Sequence, residues 1–306
     1  YNASAGSLLD VGTLQIAAGA FDSSAGSLKT QNMINSSFDT LNLGSFEAGG
    51  GYSSIAVNGD FINNKNLNLG GNNFTISASN ITNNAYIKGQ NLTLSATSNF
   101  TNNNAGLVFG TGSLTINAPA SFINSGGLIT PGVLNIGQTN TLNNNSLIKG
   151  GAVNVKAGQL TNNNQLVSIG RLTITATNLN NPNGSVIAGK TGVTINAGLS
   201  NGGLITSGYG NTNGDITISN NQDFTNNGII TAQGNVTINT ASLVNKAQIE
   251  ATGHLGLTQT GGVVNDNSIY GGTIGISSGS NVINNQRIIG LNGLKIQAVG
   301  DVTNKN

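Results

Sequence analysis

The stretch Phe224-Thr225-Asn226-Asn227-Gly228-Ile229-Ile230-Thr231-Ala232-Gln233-Gly234-Asn235-Val236-Thr237-Ile238 contains both signatures that decide the fold. One is an apolar–polar–apolar triplet, here Val236-Thr237-Ile238. Upstream it recurs as Ile55-Ala56-Val57, Phe74-Thr75-Ile76, Leu92-Thr93-Leu94, Leu114-Thr115-Ile116, Leu134-Asn135-Ile136, Val153-Asn154-Val155, Leu172-Thr173-Ile174, Val193-Thr194-Ile195 and Ile216-Thr217-Ile218. Downstream it returns as Leu255-Gly256-Leu257, Ile274-Gly275-Ile276 and Leu294-Lys295-Ile296. Eleven steps separate Ile76 from Ile296, a mean period of about 20 residues. The other signature is a large apolar residue, any residue, then Asn, as in Phe224-Thr225-Asn226. Its Asn falls at Asn63, Asn83, Asn102, Asn124, Asn144, Asn162, Asn181, Asn201, Asn226, Asn245, Asn265, Asn284 and Asn304. A third apolar site precedes a Gly-bearing turn, as in Ile87-Lys88-Gly89, Ile148-Lys149-Gly150 and Ile187-Ala188-Gly189.

Strand residues alternate between two faces. The outer residues of each triplet therefore point inward and the middle one points to solvent. In the second signature Phe or Leu shares the inward face with the Asn two residues on. A buried amide must find hydrogen-bond partners, and identical Asn residues one lap apart can bond to one another, as amide ladders do in stacked β-structure. Three short strands per period, joined by turns, make one triangular coil. The chain is thus expected to be all-β, a right-handed single-stranded parallel β-helix with coils of about 20 residues. With coils about 4.8 Å apart, the regular region makes a rod of roughly 60 Å. No segment keeps the i, i+3, i+4, i+7 pattern of a helix.

Residues 55–306 form the regular region, about 13 coils by this count. Residues 1–54 fit less well. Leu14-Gln15-Ile16 and Leu41-Asn42-Leu43 look like triplets at irregular spacing, so this part is either distorted coils or a small β module. The step from Asn201 to Asn226 is longer than the rest, with its extra residues around Ser207, Gly208, Tyr209, Gly210 and Asn211. A loop is expected to project there, and loops on repetitive scaffolds often carry binding. Neither end looks like a natural boundary, and the first residues lack a signal-peptide pattern, so the chain is read as a segment of a longer protein.

Charged residues are 7% of the chain, against roughly 25% in an average globular protein. A net charge of +1 argues against a nucleic-acid partner. There is no Cys, hence neither disulfide nor thiolate chemistry. The ten acids form no cluster; Asp215 and Asp223, the nearest acid pair of the regular region, are separated by a strand and a turn. The single His, His254, occupies the turn position held by Asn91, Arg171, Asp215 and Asn235 in other coils, and reads as solvent-exposed. No nucleophile elbow, phosphate loop or metal-spaced ligand pattern is present. The expectation is a non-enzyme without cofactor or metal.

The Phe224–Ile238 unit resembles the repeats of the filamentous haemagglutinin family of two-partner-secretion exoproteins, which includes adhesins and the effectors of contact-dependent growth inhibition. The resemblance covers about residues 55–306. It implies a right-handed β-helix, export across the outer membrane of a Gram-negative bacterium through a transporter partner, and a secreted or cell-surface shaft used in adhesion or contact-dependent competition. A host- or target-cell receptor or glycan is the implied further partner, with this segment monomeric. Two alternatives go with it: a receptor- or glycan-binding segment, or an autotransporter passenger, which shares the β-helix. The secretion domain of the family carries Asn-Pro-Asn-Gly. Here Asn181-Pro182-Asn183-Gly184 lies inside an ordinary repeat and reads as an Asn-rich corner.

Overall fold

Val236, Ile238, Leu243, Asn245, Ile249 and Ala251 all turn inward within one lap of the backbone, and all are fully buried. Three strands supply them: Val236–Thr240, Leu243–Asn245 and the beginning of Ile249–Gln259. Alternation does the sorting, because Thr237, Val244 and Glu250 lie between them and face out. The next lap repeats the pattern on top, with Val236 opposite Leu255, Leu243 opposite Val263 and Ile249 opposite Ile269.

The computed structural model describes residues 8–22, 27–33, 36–43, 45–48, 52–210 and 212–305. Among them there are strands and no helix. The chain divides into two compact units, Tyr1–Ala157 and Gly158–Asn306. Each is a parallel β-solenoid with coils of roughly 20 residues.

In the first unit, Phe74, Leu92, Leu114 and Leu134 stack in register on the first strand of successive coils. Ile81, Phe100, Phe122 and Leu142 do so on the second strand. The Phe100 and Phe122 rings lie 4.9 Å apart between centroids, tilted by 39°, close enough for an attractive aromatic pair. Leu67, Ile87, Val108, Leu128 and Ile148 form the third column. Each such side chain contributes about 1.5–3 kcal/mol by leaving water.

The same lapping holds in the described strands before residue 55. Leu8–Leu14 pairs in parallel with Ser27–Met33, which pairs with Ser45–Ala48; Ala17–Asp22 pairs with Ser36–Leu43. Two sequence assignments shift, however. Leu41-Asn42-Leu43 lies opposite Phe61-Ile62-Asn63, so it is a second-strand segment rather than a triplet. Ile55 lies opposite Ile76, which places Ser53-Ser54-Ile55 at the triplet and Ala56-Val57 just beyond it. Alternation has the same period in every strand, so it cannot tell first from second, nor fix register to better than two residues.

In the second unit Leu172, Val193, Ile216, Val236, Leu255 and Ile274 form a first-strand column of their own. In the last described coil Leu294 and Val302 are 46% and 55% exposed, although their register partners Ile274 and Val282 are buried.

Candidate functional site: the amide ladder and the corners

The second strand brings one Asn per coil to the interior. In the first unit Asn63 Nδ2 donates to Asn83 Oδ1 at 2.7 Å, Asn83 to Asn102 at 2.8 Å, Asn102 to Asn124 at 2.9 Å and Asn124 to Asn144 at 2.8 Å. In the second unit the chain of bonds starts with Asn162 to Asn181 at 2.9 Å and Asn181 to Asn201 at 2.8 Å. It continues through Asn201 to Asn226 and Asn226 to Asn245, at 2.9 and 3.0 Å. Asn245 to Asn265, Asn265 to Asn284 and Asn284 to Asn304 follow at 2.9, 2.8 and 2.7 Å. Members from Asn63 to Asn265 are 0% exposed; Asn284 is half-buried and Asn304 exposed.

All these bonds run one way, from each Nδ2 to the Oδ1 of the following coil. The backbone sets that direction. An amide nitrogen has two hydrogens, and main-chain carbonyls of its own turn and of the following coil flank the second: Gly106 O and Gly127 O at 3.3 and 3.2 Å from Asn102 Nδ2, Asn164 O and Val186 O at 3.2 and 3.0 Å from Asn162 Nδ2, Asn267 O and Arg287 O at 2.7 and 3.1 Å from Asn265 Nδ2. A carbonyl can only accept, so a flipped amide would set oxygen against oxygen. At the start of the ladder Asn63 Oδ1 is buried without a donor. Its register partner in the preceding coil is Leu43, which has no amide to offer.

The Asn181-Pro182-Asn183-Gly184 segment is a corner. Asn181 belongs to the ladder, Ser185 Oγ donates to Asn181 Oδ1 at 2.7 Å, and Gly184 takes a φ of 84° at the exposed tip.

The long step between Asn201 and Asn226 is made at two corners. Two residues separate Gly189 from Gly192, whereas seven separate their partners Ser207 and Asp215. Three separate Asn196 from Ser200, whereas five separate Ser219 from Thr225. The second lengthening was not visible in the sequence.

The expected projecting loop does not stand off the coil as a unit. Ser207 ends the strand Leu204–Ser207 facing inward, 2% exposed, with its hydroxyl donating to Gly189 O at 3.0 Å. Gly208 is buried as well. Tyr209 and Gly210 are exposed, but the Tyr209 hydroxyl reaches back to donate to Ser168 O at 2.8 Å. Gly208 and Gly210, with φ of 81° and 73°, make the bends on either side of it. Asn211 lies outside the described residues. Burial raises the Tyr209 phenol above its usual range. The signal for the inward Ser207 was present: Ser168, Gly189, Ser207, Ala232, Ala251 and Gly271 are register partners, a column of small residues where the third strand ends.

The turn position before the triplet is exposed, yet it carries a ladder of its own. Asp215 Oδ1 accepts the Asn235 backbone N–H and Asn235 Oδ1 accepts that of His254, both at 2.7 Å. His254 is exposed, its Nδ1 2.9 Å from Thr273 Oγ1, and its ring lies over Gly256 and Gly275, where the absence of side chains leaves room. No family model, no curated protein and no solved structure matches this chain.

Outward asparagines add further ladders that run the other way. Asn80 Nδ2 donates back to Asp60 Oδ1 and Asn99 to Asn80, both at 2.7 Å; Asn84 donates to Asn64 at 2.8 Å and Asn154 to Asn135 at 2.9 Å. In a chain where Asn occurs at so many positions, nothing distinguishes these from loop residues until register is known.

Proposed function

We propose that this chain is a structural and display shaft segment of a large bacterial exoprotein of the two-partner-secretion type. It reaches the cell surface or the medium through an outer-membrane transporter and serves in adhesion or contact-dependent competition. It carries out no chemistry of its own, takes no cofactor and is monomeric as this segment. The observation that carries this reading is the inner ladder: coil after coil bonds its buried second-strand Asn to that of the next coil. Such repetition stabilises length rather than a pocket. The lack of Cys and the sparse charge suit a chain that crosses a membrane unfolded and then folds lap by lap.

The reading is tested by removing one whole coil at a time in the secreting cell, for instance residues 227–245. A shaft keeps its surface amount and its target-cell binding after each such deletion. Loss of target binding at one coil, with surface amount unchanged, would replace the shaft by a receptor-binding segment. Deleting the outer-membrane transporter should leave the protein inside the cell; unchanged secretion would favour an autotransporter route.

A further inference from the structure

We infer that the trough on the outer face of the second strands, between Gln159 and Asp223, is a binding site for a neutral oligosaccharide. This does not depend on the shaft reading, since a shaft can exist with or without such a site. The trough has a volume of about 410 Å³ and lies wholly within the second unit. Thr161, Asn180 and Ser200 face outward from three consecutive second strands and form its floor. Along one side Asn178 Nδ2 donates to Gln159 Oε1 at 3.2 Å.

The far wall is built by the lengthened corner between Ser219 and Phe224. Its extra residues fold Gln222 over Gly198 so closely that a Cβ there would overlap Gln222 Oε1. The wall is fixed from behind. Asn220 Oδ1 accepts the Gln222 backbone N–H at 2.7 Å, Gln222 O accepts the Ala241 N–H at 3.0 Å, and Ser242 Oγ donates to Asp223 Oδ1 at 2.6 Å. A wall held in this way need not be ordered when a ligand arrives.

Amides and hydroxyls dominate the polar lining, offering donors and acceptors together, and Asp223 is the only charge. Sugar hydroxyls both donate and accept, and so match that mixture. Sulfated, sialylated or uronate glycans would meet the Asp223 carboxylate with no Lys or Arg among the lining residues to offset it. Without an aromatic stacking platform, affinity should be modest.

The test is an NMR titration of the whole chain with neutral oligosaccharides (maltotetraose, laminaritetraose, diacetylchitobiose, lacto-N-tetraose) and charged ones (sialyllactose, oligogalacturonate). At least one neutral compound should shift the amides of Asn178, Asn180, Ser200 and Gln222 saturably. Asn180→Ala should weaken binding about fivefold, the worth of one hydrogen bond, and Ser200→Trp should abolish it. Val264→Trp, outward on a second strand beyond the trough, should bind as the parent does. Raising NaCl from about 0.05 to about 0.5 M should change affinity less than about twofold. The proposal is overturned if no neutral compound saturates, if a charged one binds more tightly, or if Ser200→Trp binds like the parent. Should Ser200→Trp misfold, unweakened binding by Asn180→Ala overturns it equally.

Discussion

Asn226 has an amide neighbour on each side, accepting from Asn201 and donating to Asn245. Asn226→Leu keeps the volume approximately but strands Asn201 Nδ2 and Asn245 Oδ1 in a dry interior. Each orphaned group costs about 1–3 kcal/mol, to be read from the urea midpoint. Asn226→Asp is the sharper probe because it tests direction. A carboxylate cannot donate to Asn245 Oδ1, whereas a protonated acid can. Burial disfavours the charged form and raises the folded-state pKa. The contribution of the neutral acid is then fully present below the unfolded value of about 3.9 and is lost as pH rises through the higher folded value. Asn226→Asp should therefore be weakest near neutral pH and recover in acid, whereas an equal loss at both pH values would mean that the amide does not donate as assigned. Tyr209 makes a second pH-dependent contribution. Its pKa is raised by burial, so its stabilising effect is complete below its ordinary value of about 10 and fades as pH climbs through the raised one. Thermal melts should show parent and Tyr209→Phe converging above that pH; a constant gap would mean that the hydroxyl bond to Ser168 adds nothing.

At the scale of the element, strands hold register while corners take up differences in length. The corner after Ser207 is five residues longer than the one after Gly189, yet Asp215–Ser219 pairs with both neighbouring coils in register. One glycine inserted between Gly261 and Gly262 should thus cost less than about 1 kcal/mol. One residue inserted between Thr237 and Ile238 reverses inside and outside for the rest of that strand and should abolish a cooperative urea transition in its unit. Similar losses for the two would contradict the division between strand and corner. The same division explains what could be read beforehand. Buried positions repeat because each must fit the lap below, so the triplets and the Asn at the second strand stood out. Corner lengths answer to no such constraint. The sequence shows only the total length of the step to Asn226, so the share at Asn220–Asp223, where the sugar trough has its wall, leaves no mark in it. Leu41-Asn42-Leu43 misled for a different reason: alternation marks a strand without saying which strand of the coil it is.

For the molecule as a whole, electrostatics contributes little. Among the described residues one ion pair is found, Lys29 with its register partner Glu47 at 3.9 Å, and both side chains are more than half exposed. Such pairs contribute about 0–1 kcal/mol, so the melting temperature should change little with salt. Stability rests on apolar columns and the inner amides, and both connect residues roughly 20 positions apart, which favours folding that propagates from one lap to the next. The most direct measurement is hydrogen exchange of the Asn side-chain amides, followed by NMR. Asn83, Asn102, Asn124, Asn181, Asn201, Asn226 and Asn245 should keep their Nδ2 hydrogens through many hours in deuterated buffer, while the outward Asn84, Asn154 and Asn178 lose theirs within the dead time. Equal, rapid exchange at both sets would contradict a buried ladder.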